Sequence, residues 1–188
     1  PGAGSRPPRK STRKGLRQQV AGGSRWPEAV GVAYLPRLNP SQFPPRFKSF
    51  PMRVLFDTNV IIDGAVPERS YHEESLRLIS HADRGRIGGL VAPISFATCW
   101  YVATAHHDVD PRPLFRAAET TCELAPMNRA ALRRALEAEE VVDFEDIYLA
   151  EAGSEAGAEA ILTRNEQDFA DGPLTPHRPE TFLSMLQR

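Results

Sequence analysis

The stretch MRVLFDTNVIID, residues 52–63, decides how the rest of this chain is interpreted. Its apolar run Val54–Phe56 is typical of a strand buried on both faces, and Asp57 ends that run. In open parallel α/β sheets the functional crevice lies outside the carboxyl ends of the strands, so an acid at this position is expected to face a site. Asp57 would also suit the cap of a following helix, and both interpretations stay open at this point.

The net charge of −1 conceals two different parts of the chain. Residues 1–51 hold ten lysines and arginines against the single acid Glu28, and they contain about half of the prolines. Residues 52–188 hold thirteen arginines, no lysine and twenty-three acids, so the two parts carry +9 and −10. We predict that 1–51 is a disordered basic extension, either upstream of a true start at Met52 or an arm for RNA, and that 52–188 is the folded domain.

From Met52 onward, strand-like and helix-like segments alternate, which predicts a parallel sheet covered by helices. The pattern predicts strands at 53–56, 87–92, 122–125 and 160–163, with a short fifth near 173–176. It predicts helices at 71–83, 93–106, 111–121, 129–139, 144–157 and 179–187. No run is long enough to span a membrane, and the two cysteines, Cys99 and Cys122, fit buried thiols in a reducing cytosol.

Three acidic groups are the candidates for chemistry. Asp57 ends the first strand, Asp143 and Asp146 begin a helix, and 163–169 follows the fourth strand with Asp168. Each group could simply cap a helix, but parallel strands would bring all three to one edge of the sheet. Carboxylates gathered without partners repel one another unless a cation or shifted protonation compensates, and hard oxygen ligands suit Mg²⁺ or Mn²⁺ rather than zinc.

These motifs resemble those of a known family. The sequences MRVLFDTNV at 52–60, VDFED at 142–146 and ILTRNEQDF at 161–169 are similar to the three acidic motifs of the PIN-domain ribonucleases, which include VapC-like toxins. The resemblance spans about 52–188 and implies a Rossmann-like three-layer α/β/α sandwich with a central parallel sheet. It further implies a cytoplasmic, Mg²⁺- or Mn²⁺-dependent endoribonuclease, an RNA substrate, an antitoxin partner and a homodimer.

The resemblance assigns roles residue by residue. Asp57, Asp146 and Asp168 match the catalytic, metal-binding acids, with Asp143 as an accessory metal ligand. In the last motif Asn165 falls where many relatives carry the carboxylate, so Asp168 is assigned as its acid. Four neighbouring residues would orient the metal ligands or waters: Thr58, Asn59, Thr163 and Asn165. Arg164 is the arginine best placed to bind RNA, which is needed because a domain near −10 repels a polyanion.

One departure from the family pattern affects the predicted metal site. The family usually places a glutamate in the helix after the second strand, but 93–102 contains no acid and Thr98 occupies that position. Asp63 is a candidate substitute, although a solvated acid at a helix start is the favoured interpretation. The alternative to an enzyme is therefore a catalytically silent PIN-like module that binds RNA or protein. An aspartyl-phosphate phosphatase or a response-regulator receiver is disfavoured, because those proteins use a lysine near the phosphoryl group and 52–188 has no lysine.

Overall fold

The computed structural model describes residues 52–138 and 143–187. Within these ranges the strands are β1 (Arg53–Phe56), β2 (Gly88–Val91), β3 (Glu123–Leu124), β4 (Ala160–Leu162) and β5 (Thr175–His177). The helices are α1 (Thr58–Ala65), α2 (His72–Asp83), α3 (Pro93–His106), α4 (Arg112–Thr121), α5 (Arg129–Glu137), α6 (Phe144–Glu155) and α7 (Pro179–Met185). A short 3₁₀ helix, Glu166–Phe169, follows β4. The predicted basic extension, 1–51, lies outside the described residues, and so does the predicted end of α5 at 139.

The five strands form one parallel sheet in the order β3-β2-β1-β4-β5. Central β1 places Leu55 beside Leu90 of β2 on one side and Ile161 of β4 on the other. The chain moves outward from β1 through β2 to β3 and then returns to the far side of β1. The strand order therefore reverses between β1 and β4, and the crevice outside this reversal is where ligands bind in sheets of this kind.

Helices cover both faces of the sheet, as the alternation of side chains along β1 requires. Val54 and Phe56 belong to a core with apolar side chains of α1, α2, α3, α4 and α7. Leu55 faces the opposite way and packs with side chains of α5 and α6. Because successive residues of a strand point to opposite faces, a fully apolar β1 needs helices on each side. The predicted three-layer α/β/α sandwich is confirmed.

Close packing of α6 on the sheet depends on Gly153. A Cβ at this position would lie 2.7 Å from Cδ2 of Leu55, so any other residue here would force the Leu55 side chain to move. Since α6 leads back to the start of β4, it runs antiparallel to the strands. The first turn of α6, with Asp143 and Asp146, consequently lies at the carboxyl edge of the sheet.

The predicted helices and strands agree with the structure within a few residues. The fifth strand is displaced most, since it occupies Thr175–His177 rather than 173–176. Asn128 and Asp143 cap α5 and α6 through their side-chain oxygens. Both cysteines are free thiols. Among the described residues, no helix combines the length and apolarity needed to cross a membrane.

Candidate functional site

Asp57 lies at the carboxyl end of central β1, next to the reversal of strand order. Its backbone N–H donates to the carbonyl of Leu162 at 3.1 Å, which ties the residue to the end of β4. Its Oδ2 accepts hydrogen bonds from Thr163 Oγ1 at 2.9 Å and from Asn59 Nδ2 at 3.5 Å. Asp57 occupies the cap position of α1, yet its side chain makes no capping hydrogen bond. The backbone N–H groups of Thr58 and Asn59 still lower the pKa of this carboxyl group, so the start of α1 accounts for part of its surroundings.

Burial dominates the electrostatics of Asp57. The residue is only 2% exposed, and this burial raises the pKa of its carboxyl group, while the Thr163 hydroxyl opposes the rise. The raised pKa means that the surrounding protein only partly compensates the ionised form. A buried carboxylate held by neutral donors retains most of its attraction for a cation.

Asp146 lies in the first turn of α6, and the negative charge of Asp57 acts on it. Burial is the largest cause that raises the pKa of Asp146, to about 7, followed by the charge of Asp57 and then by those of three further acids, Asp143, Asp168 and Glu145. All of these causes raise the pKa, so repulsion among the acids is not balanced by a nearby cation in the described chain. All four predicted metal-binding acids therefore lie close enough for the charges of the other three to raise the pKa of Asp146.

Asp168 lies in the 3₁₀ helix after β4, and Asn165 precedes that helix. Both side chains are exposed. The Asn165 N–H donates to Thr163 Oγ1 at 3.0 Å, so the same hydroxyl connects this turn to Asp57. Thr163 therefore contacts Asp57 directly, while its role in orienting ligands or waters stays a prediction. Asn165 makes no side-chain capping bond, so the alternative that this group simply caps a helix is not supported.

The acids are neighbours without forming a closed cage. Within 52–138 and 143–187, no three Asp, Glu, His or Cys side chains converge closely enough to hold one metal ion as they stand. A cation would require some of these side chains to move closer together. The donors themselves, all carboxylate oxygens, are the type that Mg²⁺ and Mn²⁺ prefer.

A residue absent from the sequence prediction, Glu145, also reaches this neighbourhood. Its Oε1 accepts long hydrogen bonds from Thr58 Oγ1 at 3.4 Å and Thr98 Oγ1 at 3.5 Å. Thr58 also bonds to the buried Ser95 hydroxyl at 2.9 Å. Glu145 therefore places a carboxylate beside Thr98, although α3 has no acid of its own. The only sequence signal was its place between Asp143 and Asp146.

Asp63 differs from both interpretations that the sequence suggested. It lies in the second turn of α1 and is fully buried, so the expectation of a solvated acid is wrong. Arg69 Nε pairs with Oδ1, and Arg164 Nε lies 3.2 Å from Oδ2. Two guanidinium groups already compensate this carboxylate, so a role as substitute metal ligand is also not supported.

Arg164, predicted to bind RNA, is held inside the protein by several contacts. Besides its pairing with Asp63, it donates from Nη2 to Asn59 Oδ1 at 3.2 Å, and its Cζ lies 5.5 Å from the ring centroid of Tyr71. Its side chain is 26% exposed. Contact with RNA stays a prediction. Through its contact with Asn59, Arg164 is one residue removed from Asp57.

Comparison with known proteins gives the family. A model of the PIN domain matches residues 53–167, which is more than half of the chain. The chain belongs to the PIN-domain family. No curated protein matches it.

One solved toxin–antitoxin structure shares this fold, and two further solved structures match with lower TM-scores. A toxin–antitoxin complex from Klebsiella pneumoniae has a TM-score of 0.50 and 21% identity, covering 67% of this chain and 97% of that chain. VapBC2 from Rickettsia felis, bound to a promoter DNA fragment, gives 0.49 and 14%, covering 68% and 98%. The sarcin-ricin loop cleaving toxin VapC20 of Mycobacterium tuberculosis gives 0.49 and 12%, covering 63% and 95%. At these identities the likeness concerns the fold.

Proposed function

We propose that this chain is a divalent-cation-dependent endoribonuclease. The observation that carries the proposal is the position of Asp57, Asp146 and Asp168. They come from the end of β1, the start of α6 and the turn after β4, and their charges act on one another at the reversal of strand order. Membership of the PIN-domain family supports the same conclusion.

The donor set fits Mg²⁺ or Mn²⁺. Asp57, Asp146 and Asp168 would hold the cation, with Asp143 and Glu145 adding negative charge nearby. A bound cation would supply positive charge for the substrate phosphate and acidify a water for hydrolysis of the phosphodiester bond. Thr163 and Asn59 hold the Asp57 carboxylate in place through their hydrogen bonds. The buried position of Asp57 excludes most water from it, which strengthens its attraction for a cation.

A toxin–antitoxin pairing is part of this proposal. The Klebsiella structure is a complex of that kind, and on this analogy we expect an antitoxin partner. An RNA substrate and a homodimer are expected from the resemblance to the PIN-domain ribonucleases. The second candidate is a catalytically silent binding module, which the absence of an acid on α3 and the exposed amide of Asn165 favour. The two candidates differ in one property, because only the enzyme needs a cation for its action.

The test is cleavage of a mixed pool of single-stranded and structured RNA by the full chain. We expect fragments with Mg²⁺ or Mn²⁺ and none with a chelator. Asp57→Asn, which keeps the shape of the side chain, is the matched control and should give none in either condition. Fragments that persist in the chelator would contradict the proposal. Saturable Mn²⁺ binding without cleavage of any RNA in the pool would favour the silent module.

A further inference from the structure

We infer that Arg164 is a positioning residue of the acidic site, acting through Asn59 on Asp57. The expected effect on cation binding rests on the proposed function, but the contacts among Arg164, Asn59 and Asp57 do not depend on it. Arg164 Nη2 donates to Asn59 Oδ1 at 3.2 Å, and Asn59 Nδ2 donates to Asp57 Oδ2 at 3.5 Å. An amide has its acceptor and its donor on opposite sides. When Arg164 occupies the Asn59 oxygen, the Asn59 NH₂ group is left to face Asp57.

Three contacts hold the guanidinium of Arg164 in place. The Nε atom lies 3.2 Å from Asp63 Oδ2, the Nη2 atom binds Asn59, and the cation lies against the Tyr71 ring. The Asp63 pairing is close but poorly aligned, since neither Asp63 Oδ2 nor Arg164 Nε has a hydrogen-bond partner in the described residues. The guanidinium is oriented instead for the bond to Asn59. Because Arg164 is aligned with Asn59 and not with Asp63, we infer that it orients the Asn59 side-chain amide.

The charge arrangement explains why an amide stands between Arg164 and Asp57. A guanidinium in direct contact with Asp57 would form an ion pair and reduce the attraction of that carboxylate for a metal cation. Here Arg164 lies beside the buried Asp63 carboxylate and bonds to Asn59, so the neutral Asn59 amide and not the guanidinium contacts Asp57. Asp57 is therefore oriented without being neutralised by an ion pair.

Arg69 offers a matched control for this inference. Arg69 and Arg164 both pair with Asp63 and are similarly exposed, at 22% and 26%. Of these two arginines, only Arg164 contacts Asn59 in the part of the chain that the structure describes. Substituting either arginine by glutamine removes one cation from Asp63, so a purely structural role predicts similar effects of Arg69→Gln and Arg164→Gln.

The experiment compares both glutamine variants with the unmodified full chain in two readouts. The first is the NMR signal pair of the Asn59 side-chain amide in metal-free protein, and the second is Mn²⁺ affinity by calorimetry. We expect Arg164→Gln to move the Asn59 signals towards those of a solvated amide and to weaken Mn²⁺ binding about tenfold, as loss of an outer partner of a metal ligand does. Arg69→Gln should lower the melting temperature while leaving both readouts close to those of the unmodified chain.

Equal changes in the Asn59 signals for both variants would overturn the inference, as would unchanged signals in Arg164→Gln. Weaker RNA binding by Arg164→Gln with unaltered Asn59 signals and Mn²⁺ affinity would assign Arg164 to the substrate instead. If Arg164→Gln does not fold, Arg164→Lys keeps a cation beside Asp63 and should still disturb Asn59. Because Arg164 is inferred to act through Asn59, the single variant Asn59→Ala and the double variant Asn59→Ala/Arg164→Gln should weaken Mn²⁺ binding equally. Absence of Mn²⁺ binding by the unmodified chain would contradict the proposed function and leave the NMR result interpretable.

Discussion

Two buried aspartates six residues apart, Asp57 and Asp63, have opposite surroundings. Asp63 is fully buried between two arginines, and its charge is compensated within the protein. Asp57 is 2% exposed, its side-chain hydrogen bonds come from two neutral groups, the Thr163 hydroxyl and the Asn59 amide, and it lies near Asp146. Burying a carboxylate is costly unless it is paired. We therefore interpret Asp63 as a structural acid and Asp57 as the acid that the proposed cation would bind.

The largest expected effect is that of Asp57→Asn on activity. Loss of an outer partner of a metal ligand already costs about 10–100-fold, so loss of a direct ligand is expected to reduce RNA cleavage by more than about 100-fold. Since burial raises the pKa of Asp57, its ionised form destabilises the native state at neutral pH. The metal-free variant should therefore be at least as stable as the unmodified chain in urea unfolding. A clear loss of stability would show that Asp57 is structural.

The next largest effect is that of Asp63→Asn on stability. Removal of this charge leaves two arginines facing a neutral amide, and breaking a buried pair costs about 3 kcal/mol. Urea unfolding of the metal-free protein measures this loss. The exposed Asp171→Asn is the control and should change little. A variant of Asp63 as stable as the unmodified chain would remove the contrast between the two acids.

A smaller effect, on cation affinity, is expected from Glu145→Gln. Its carboxylate bonds to the hydroxyls of Thr58 and Thr98 and adds to the negative charge at Asp146. We expect Mn²⁺ binding to weaken about tenfold. Glu74→Gln on α2 is the matched control and should bind Mn²⁺ normally. Adding Thr98→Glu to Glu145→Gln should restore affinity, because it returns an acid to the same place. Unchanged affinity in Glu145→Gln would exclude the residue from the site.

The smallest effect is a pH dependence of stability that Asp146 introduces. Its carboxyl group has a pKa of about 7 in the folded protein against an ordinary value of 3.8, so it binds its proton more tightly when the chain is folded. The free energy of unfolding of metal-free protein should therefore fall as pH rises from about 4 to 7. After a discount for solvent around this half-buried side chain, Asp146 contributes about 1 kcal/mol to that fall. Asp146→Asn should flatten the curve measured in a chelator, and parallel curves would contradict this interpretation.

The sequence was sufficient for those features that depend on local pattern. Alternating apolar segments predicted the parallel sheet. The positions of Asp57, directly after β1, and of Asp143 and Asp146, at the start of α6, follow from the strand or helix beside them. Asp63 could not be interpreted in this way, because one of its partners, Arg164, lies 101 residues further along the chain. Its burial results from tertiary contacts that the local pattern of apolar residues does not predict.

Glu145 and Arg164 illustrate the same limit at the site. Glu145 stands between two acids of a motif, but its direction depends on hydroxyls contributed by α1 and α3. Arg164 was predicted to contact RNA because it follows β4, and this stays a prediction; its contacts with Asp63, Asn59 and Tyr71 had no signal in the sequence. Position along the chain predicted which edge these residues occupy, and side-chain packing determined what they contact.

The most direct test of this account is a calorimetric titration of Mn²⁺ into the full chain, Asp57→Asn and Asp63→Asn. The account predicts saturable binding by the unmodified chain, none by Asp57→Asn, and saturable binding by Asp63→Asn even though that variant is less stable. Binding that survives in Asp57→Asn, or is lost only in Asp63→Asn, would contradict the assignment of the two acids. No binding by the unmodified chain would contradict the cation site itself.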